Sequence, residues 1–142
     1  MVSEPDIRHA VYLGLGSNLG DREATIAEAI RLIQERVGEI ARRSSLIETT
    51  PWGFTSPHRF LNGVVLCLTE KSPREVLRLT QAIERELGRR AKTGTRRYAD
   101  RPIDIDILLY DNLTVDESDL KIPHPLMTQR DFVMIPLNEI RN

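Results

Sequence analysis

The stretch Ile103-Asp-Ile-Asp-Ile-Leu-Leu-Tyr110 (IDIDILLY) alternates apolar and acidic residues before turning wholly apolar. Period-two alternation is the mark of a strand with one face in the core. Read so, Ile103, Ile105 and Ile107 point inward, and Asp104 and Asp106 share the opposite face about 7 Å apart. The strand reading fits a chain whose earlier elements follow a recognisable order. Residues 10–16 (AVYLGLG) read as a strand ending in glycines. Asp21 is placed as a helix N-cap. Ile26, Ile30, Ile33 and Val37 then form one helical stripe that Gly38 stops. Residues 39–49 and 60–69 read as two further strands. Ser72, Pro73 and Glu75 make a capping box with proline at the first helical position. That helix carries Val76, Leu79, Ile83 and Leu87 inward, and Gly88 closes it. The order is strand, helix, strand, strand, helix, strand. It predicts an α+β fold, a ferredoxin-like α/β sandwich whose antiparallel sheet carries both helices on one face.

Composition narrows the function. The 142 residues carry 20 basic and 21 acidic side chains, a formal charge of −1. No global charge recruits nucleic acid or a membrane. No stretch approaches the ~18 apolar residues of a membrane span. The first residues lack the charged start and apolar centre of a signal peptide. Cys67, the single cysteine, lies in an apolar run and reads as a packed core thiol. The sequence reads as a single domain, 1–142, of a cytoplasmic protein and a monomer, with no nucleic-acid or membrane partner.

The connections 50–59 and 88–102 are long for a compact domain, and such segments tend to carry function. The second is basic: Arg89, Arg90, Lys92, Arg96, Arg97 and Arg101, with Asp100 the single acid. It leads directly into Asp104 and Asp106. At an effective dielectric of 20 the two carboxylates repel by roughly 2 kcal/mol, so a pair lining a cleft needs cations. Carboxylates holding Mg²⁺ while arginines grip phosphate oxygens suit a nucleotide triphosphate. A solvated acidic face and a basic nucleic-acid patch are the competing readings. The glycines of GLGSNLGDRE (14–23) are spaced wrongly for G-x-G-x-x-G, and no P-loop lysine follows.

Four separated blocks carry a resemblance: LGLGSNLGDRE at 13–23, TTPWG…RFLNGVV at 49–65, RPIDIDILLYDN at 101–112 and IPHPLMTQRDFVMIPL at 122–137. Together they resemble the 6-hydroxymethyl-7,8-dihydropterin pyrophosphokinases of folate biosynthesis. The resemblance implies a ferredoxin-like fold and transfer of the β,γ-pyrophosphate of ATP to the pterin hydroxymethyl group, with AMP released. It implies that Asp104 and Asp106 bind two Mg²⁺ ions. It gives Arg89 and Arg101 catalytic roles on the triphosphate, and places Gln81, His124 and Arg130 on the nucleotide. On the pterin it places Phe60 and Phe132 as a ring sandwich, Asn62 at the ring edge, and Thr50 and Trp52 alongside. Glu84 corresponds to an acid near the metal-binding strand. The proton acceptor is open between Asp104 and metal coordination of the hydroxyl. Where the family often shows Trp-Gly-Pro-Arg, this chain has Tyr98-Ala99-Asp100-Arg101.

Overall fold

The computed structural model describes residues 8–50, 57–88 and 102–141. Its elements in chain order are β1 (His9–Ser17), α1 (Arg22–Arg36), β2 (Glu39–Arg43), β3 (Ile47–Thr49), β4 (Phe60–Thr69), α2 (Pro73–Gly88), β5 (Asp104–Tyr110), β6 (Val115–Glu117), β7 (Leu120–Ile122) and α3 (Asp131–Ile140). A 3₁₀ turn, Met127–Gln129, precedes α3. The main sheet runs β2-β4-β1-β5, with β3 also paired to β4, and every pairing is antiparallel. This is the ferredoxin-like order expected from the chain.

Local signals explain both core helices. The Asp21 carboxylate accepts from Ala24 N at 3.1 Å, satisfying one of the free donors of the first turn of α1. Ser72 Oγ accepts from Glu75 N at 3.2 Å, and Glu75 Oε1 accepts from Ser72 N at 3.3 Å. The capping box is therefore closed at both ends. Gly38 ends α1 as expected, its N donating to Ile33 O at 3.1 Å, and a Cβ there would also collide with the Leu68 carbonyl. The bare backbone lets the chain enter β2 hard against β4.

Alternation in β1, β4 and β5 sorts the sheet into two faces. On one, Val11, Leu13, Leu15, Leu61, Val65, Cys67, Ile103, Ile105 and Ile107 pack under α1 and α2, against Ile26, Ile33, Val76 and Ile83. Burying each such side chain contributes about 1.5–3 kcal/mol. The other face carries a second apolar cluster, in which Val64 and Leu108 meet Met127, Val133, Leu137 and Ile140. Leu108 shares the face of Asp104 and Asp106 by plain alternation. The β1–β5 register shift between Tyr12 and Leu13 leaves it as an extra residue and so sends Leu109 to this cluster and Tyr110 to the first.

Three features depart from the sequence expectation. Residues 39–49 are two strands, not one. The chain breaks at Ser44–Leu46, where the Ser44 hydroxyl accepts from Val64 N and Ser45 bonds Glu139. The C-terminal apolar segment is a helix, α3, lying on the face opposite α1 and α2. Pro136 lies inside it and is buried. Finally, β6 and β7 form a short hairpin, tied to α2 by Arg74, which pairs with Glu117 and Asp119.

Candidate active site

The antiparallel register places the chemistry-bearing residues in rows. Asn62 on β4, Gly16 on β1 and Asp104 on β5 are direct cross-strand neighbours, and so are Val64, Gly14 and Asp106 one row away. All of these positions lie on the face away from α1 and α2. Neighbouring strands are about 4.8 Å apart, so Asn62 and Asp104 flank a glycine floor roughly 10 Å across. Gly16 is needed as such. A Cβ on it would stand 2.9 Å from Asn62 Oδ1 and 3.5 Å from the Phe60 ring.

On the β4 side, Asn62 is buried at 5% exposure, and its Nδ2 donates to Thr49 Oγ1 at 2.7 Å. The hydroxyl of β3 therefore sets the orientation of the amide. Phe60, two residues earlier on the same face, is half-buried. The order Phe60, Asn62 along one strand face puts a ring and an amide side by side, as the sequence reading requires.

On the β5 side, Asp104 and Asp106 are both half-buried and project from the sheet on one face. Glu84 reaches the free edge of β5 from α2 and accepts from Ile105 N at 2.7 Å. Burial, reinforced by the charge of Asp104, pushes the Glu84 carboxyl up to about 8. Three carboxyl groups thus meet at this strand edge, and Glu84, largely protonated at neutral pH, relieves part of their repulsion. Among the described residues no set of three or more His, Cys, Asp or Glu groups is arranged to hold a metal unaided. Two aspartates do fit Mg²⁺, which usually takes one or two carboxylates and completes its octahedron with water and non-protein oxygens.

The C-terminal segment supplies the third side. A cis Ile122–Pro123 bond precedes His124, whose backbone N donates to Leu108 O at 3.0 Å. Burial and the neighbouring Arg130 hold the His124 imidazole below its usual pKa, while Asp104 opposes them. His124 is thereby within electrostatic reach of Asp104. Arg130 is buried and its guanidinium carbon lies 5.5 Å from the centre of the Phe132 ring. Phe132 is half-buried at the edge of the α3 cluster.

The structure therefore brings Asp104, Asp106, Asn62, Phe60, His124, Arg130 and Phe132 to the sheet face and flank opposite α1 and α2. Thr50 is exposed directly after β3, and Gln81 is exposed one turn before Glu84 on α2. Arg89, Arg101 and Trp52 lie outside the described residues, as do Tyr98 and Asp100. The sequence reading missed one contributor, Thr49, and left Glu84 without a partner. Thr49, beside the expected Thr50, pairs with Phe60 in the β3–β4 register, and its hydroxyl reaches Asn62 diagonally, accepting from Nδ2 at 2.7 Å. Glu84 was noted as an acid near this strand, but its bond to the β5 backbone depends on how α2 packs against the edge. His9, read as surface, pairs through Nδ1 with Asp111 Oδ2 at 2.6 Å and stacks 4.9 Å from Tyr110.

Comparison with known proteins identifies the family. Residues 12–142 match the profile of 7,8-dihydro-6-hydroxymethylpterin-pyrophosphokinase (HPPK). A 2-amino-4-hydroxy-6-hydroxymethyldihydropteridine pyrophosphokinase of Porphyromonas gingivalis is 53% identical over 131 residues, covering 92% of this chain and 89% of its own. Enzymes of the same name from Aquifex aeolicus and Bacillus subtilis are 42% and 40% identical, covering 92% and 94% of this chain and 79% of theirs. Among solved structures, an HPPK-DHPS of Plasmodium falciparum superposes with a TM-score of 0.74 at 17% identity. The match covers 96% of this chain and 41% of that one, so this chain spans well under half of that longer protein. With a profile match over residues 12–142 and relatives 40–53% identical over most of its length, this chain belongs to the 7,8-dihydro-6-hydroxymethylpterin-pyrophosphokinase family.

Proposed function

We infer that the chain transfers pyrophosphate from ATP to the hydroxymethyl group of 6-hydroxymethyl-7,8-dihydropterin, releasing AMP, as a step of folate biosynthesis. Its relatives at 40–53% identity carry the name of that enzyme. The observation that ties the reaction to this chain is the cross-strand row Asn62–Gly16–Asp104. A flat pterin held at its edge by the Asn62 amide would lie over Gly16, with Phe60 and Phe132 on its faces. Spanning the ~10 Å floor, it would present its hydroxymethyl oxygen on the Asp104 side.

That oxygen then bonds to the β-phosphorus, its proton passing to Asp104 or to water, while the bond from β-phosphorus to the α,β-bridging oxygen breaks and AMP departs. Holding the reacting atoms in line is worth several orders of magnitude in rate. Asp104 and Asp106 would hold two Mg²⁺ ions, the ions neutralising the polyphosphate charge and polarising the phosphorus. Glu84, anchored to Ile105 N, fixes the course of the β5 edge from which both aspartates project. His124 and Arg130 supply donors on the nucleotide side. Gln81, Arg89 and Arg101 complete the ATP contacts in this reading, and Thr50 and Trp52 the pterin contacts. Among the described residues no helix is long and apolar enough to cross a membrane. We place the enzyme in the cytoplasm as a monomer acting on small molecules.

The test is incubation with ATP, Mg²⁺ and the reduced pterin, with nucleotide products separated by chromatography. AMP formed in step with pterin diphosphate is the expected result. Formation of ADP would overturn the reading.

A further inference from the structure

The groove at the start of α1 lies away from the carboxylate edge, yet it is wired to the other end of the site. It has a volume of about 360 Å³ and is lined by Asn18, Arg22, Glu48, Pro57, His58 and Arg59, with Gly20 at its rim. Across this opening α1 meets the β3–β4 corner through polar contacts. Arg22 Nη2 donates to Glu48 Oε2 at 2.7 Å, and Arg22 Nη1 donates to the Arg59 carbonyl at 2.9 Å. Asn18 Nδ2 donates to the His58 carbonyl at 3.2 Å. Arg59 approaches the same Glu48 carboxylate at 3.7 Å.

The two segments gripped by Arg22 are the ones that carry the pterin wall. Glu48 immediately precedes Thr49, whose hydroxyl receives the Asn62 amide. Arg59 immediately precedes Phe60. β3 itself is three residues long and pairs with β4 only at Ile47↔Asn62, Glu48↔Leu61 and Thr49↔Phe60. So short a ribbon has little stiffness of its own.

We propose that Arg22 is a positioning residue for the pterin half of the site, acting through Glu48 and the Arg59 carbonyl to hold Thr49, Asn62 and Phe60 in register with the glycine floor. The proposal rests on the reading that Asn62 and Phe60 contact the pterin. A planar guanidinium suits the task because it bonds two acceptors in one fixed fork, which an ammonium cannot do. Neither side chain is deeply buried, at 29% exposure for Arg22 and 44% for Glu48. Partly exposed pairs of this kind contribute little to global stability. Their effect here falls on geometry, where displacements near 1 Å are costly to an oriented reaction.

Steady-state kinetics with pterin and ATP varied separately, on Arg22→Ala, Arg22→Lys, Glu48→Gln and the Arg22→Ala/Glu48→Gln double variant, test it. The expected result is a pterin KM raised roughly tenfold in Arg22→Ala, with the ATP KM within about twofold and the melting temperature nearly unchanged. Lysine should recover part of the loss. The double variant should be little worse than Arg22→Ala, because both changes break one contact. An unchanged pterin KM, or both KM values rising together with a fall in melting temperature, would overturn the proposal. Asn62→Ala serves as the control. If it raises pterin KM while Arg22→Ala does not, the clamp alone is wrong; if neither moves it, the pterin site itself is misplaced and the clamp falls with it.

Discussion

The two faces of the sheet are built from the same strands and do opposite work. Under α1 and α2, odd-numbered residues of β1 and β5 are apolar and buried, from Val11, Leu13 and Leu15 to Ile103, Ile105 and Ile107. One residue along, the even-numbered positions Gly14, Gly16, Asp104 and Asp106 form the floor and one wall of the site. α3 covers only the part of that face where Val64 and Leu108 meet Val133, Leu137 and Ile140. The rest is left to polar groups. A period of two thus lets one strand anchor the core and carry the chemistry with no loop between the two roles. Precision follows, because the position of each aspartate is set by isoleucines that cannot move without disturbing close packing.

The division can be broken experimentally, beginning with its largest consequence. Ile33→Ala, on the fully buried stripe of α1, should lower stability by about 2–5 kcal/mol while the folded fraction keeps its pterin and ATP KM values. Denaturant unfolding with parallel kinetics measures both. Asp104→Ala or Asp106→Ala should do the reverse, cutting turnover by about 10²-fold or more with a melting temperature close to that of the parent. A variant retaining above a tenth of the parent rate would end the division for β5. Ser72→Ala removes one cap of α2 and should cost about 0.5–2 kcal/mol without touching turnover, since the capping box lies at the opposite end of the helix from Glu84. The smallest expected effect is none at all. Burial pushes the Cys67 thiol up to about 12, so the native protein at pH 8 should resist iodoacetamide until denaturant exposes the strand.

How far the sequence alone reached follows the same division. Alternation at 103–107, the helical stripes and the two caps are local patterns, and they were enough for the strand–helix order and for the shared face of Asp104 and Asp106. α3 was not legible because Pro136 breaks the pattern expected of a helix interior; burial of the proline in the α3 packing overrides that local signal. The β6–β7 hairpin escaped because three-residue strands such as Val115–Glu117 are too short to show a period. Within the site, residue types suggested Asn62, Phe60 and the aspartates. The Thr49–Asn62 bond and the role of Gly16 depend on cross-strand register, which no single segment encodes. The Glu84 anchor depends on the packing of α2 against the sheet edge for the same reason.

The account turns on two carboxylates of β5 acting on the metal-bound polyphosphate. Crystals grown with Mn²⁺ in place of Mg²⁺, a non-hydrolysable ATP analogue and the pterin would locate the ions by their anomalous signal. The account predicts two peaks at about 2.0–2.2 Å from oxygens of Asp104 and Asp106, with the pterin hydroxymethyl group on the same side of Gly16. Manganese bound to the analogue with both aspartates uncoordinated would contradict it.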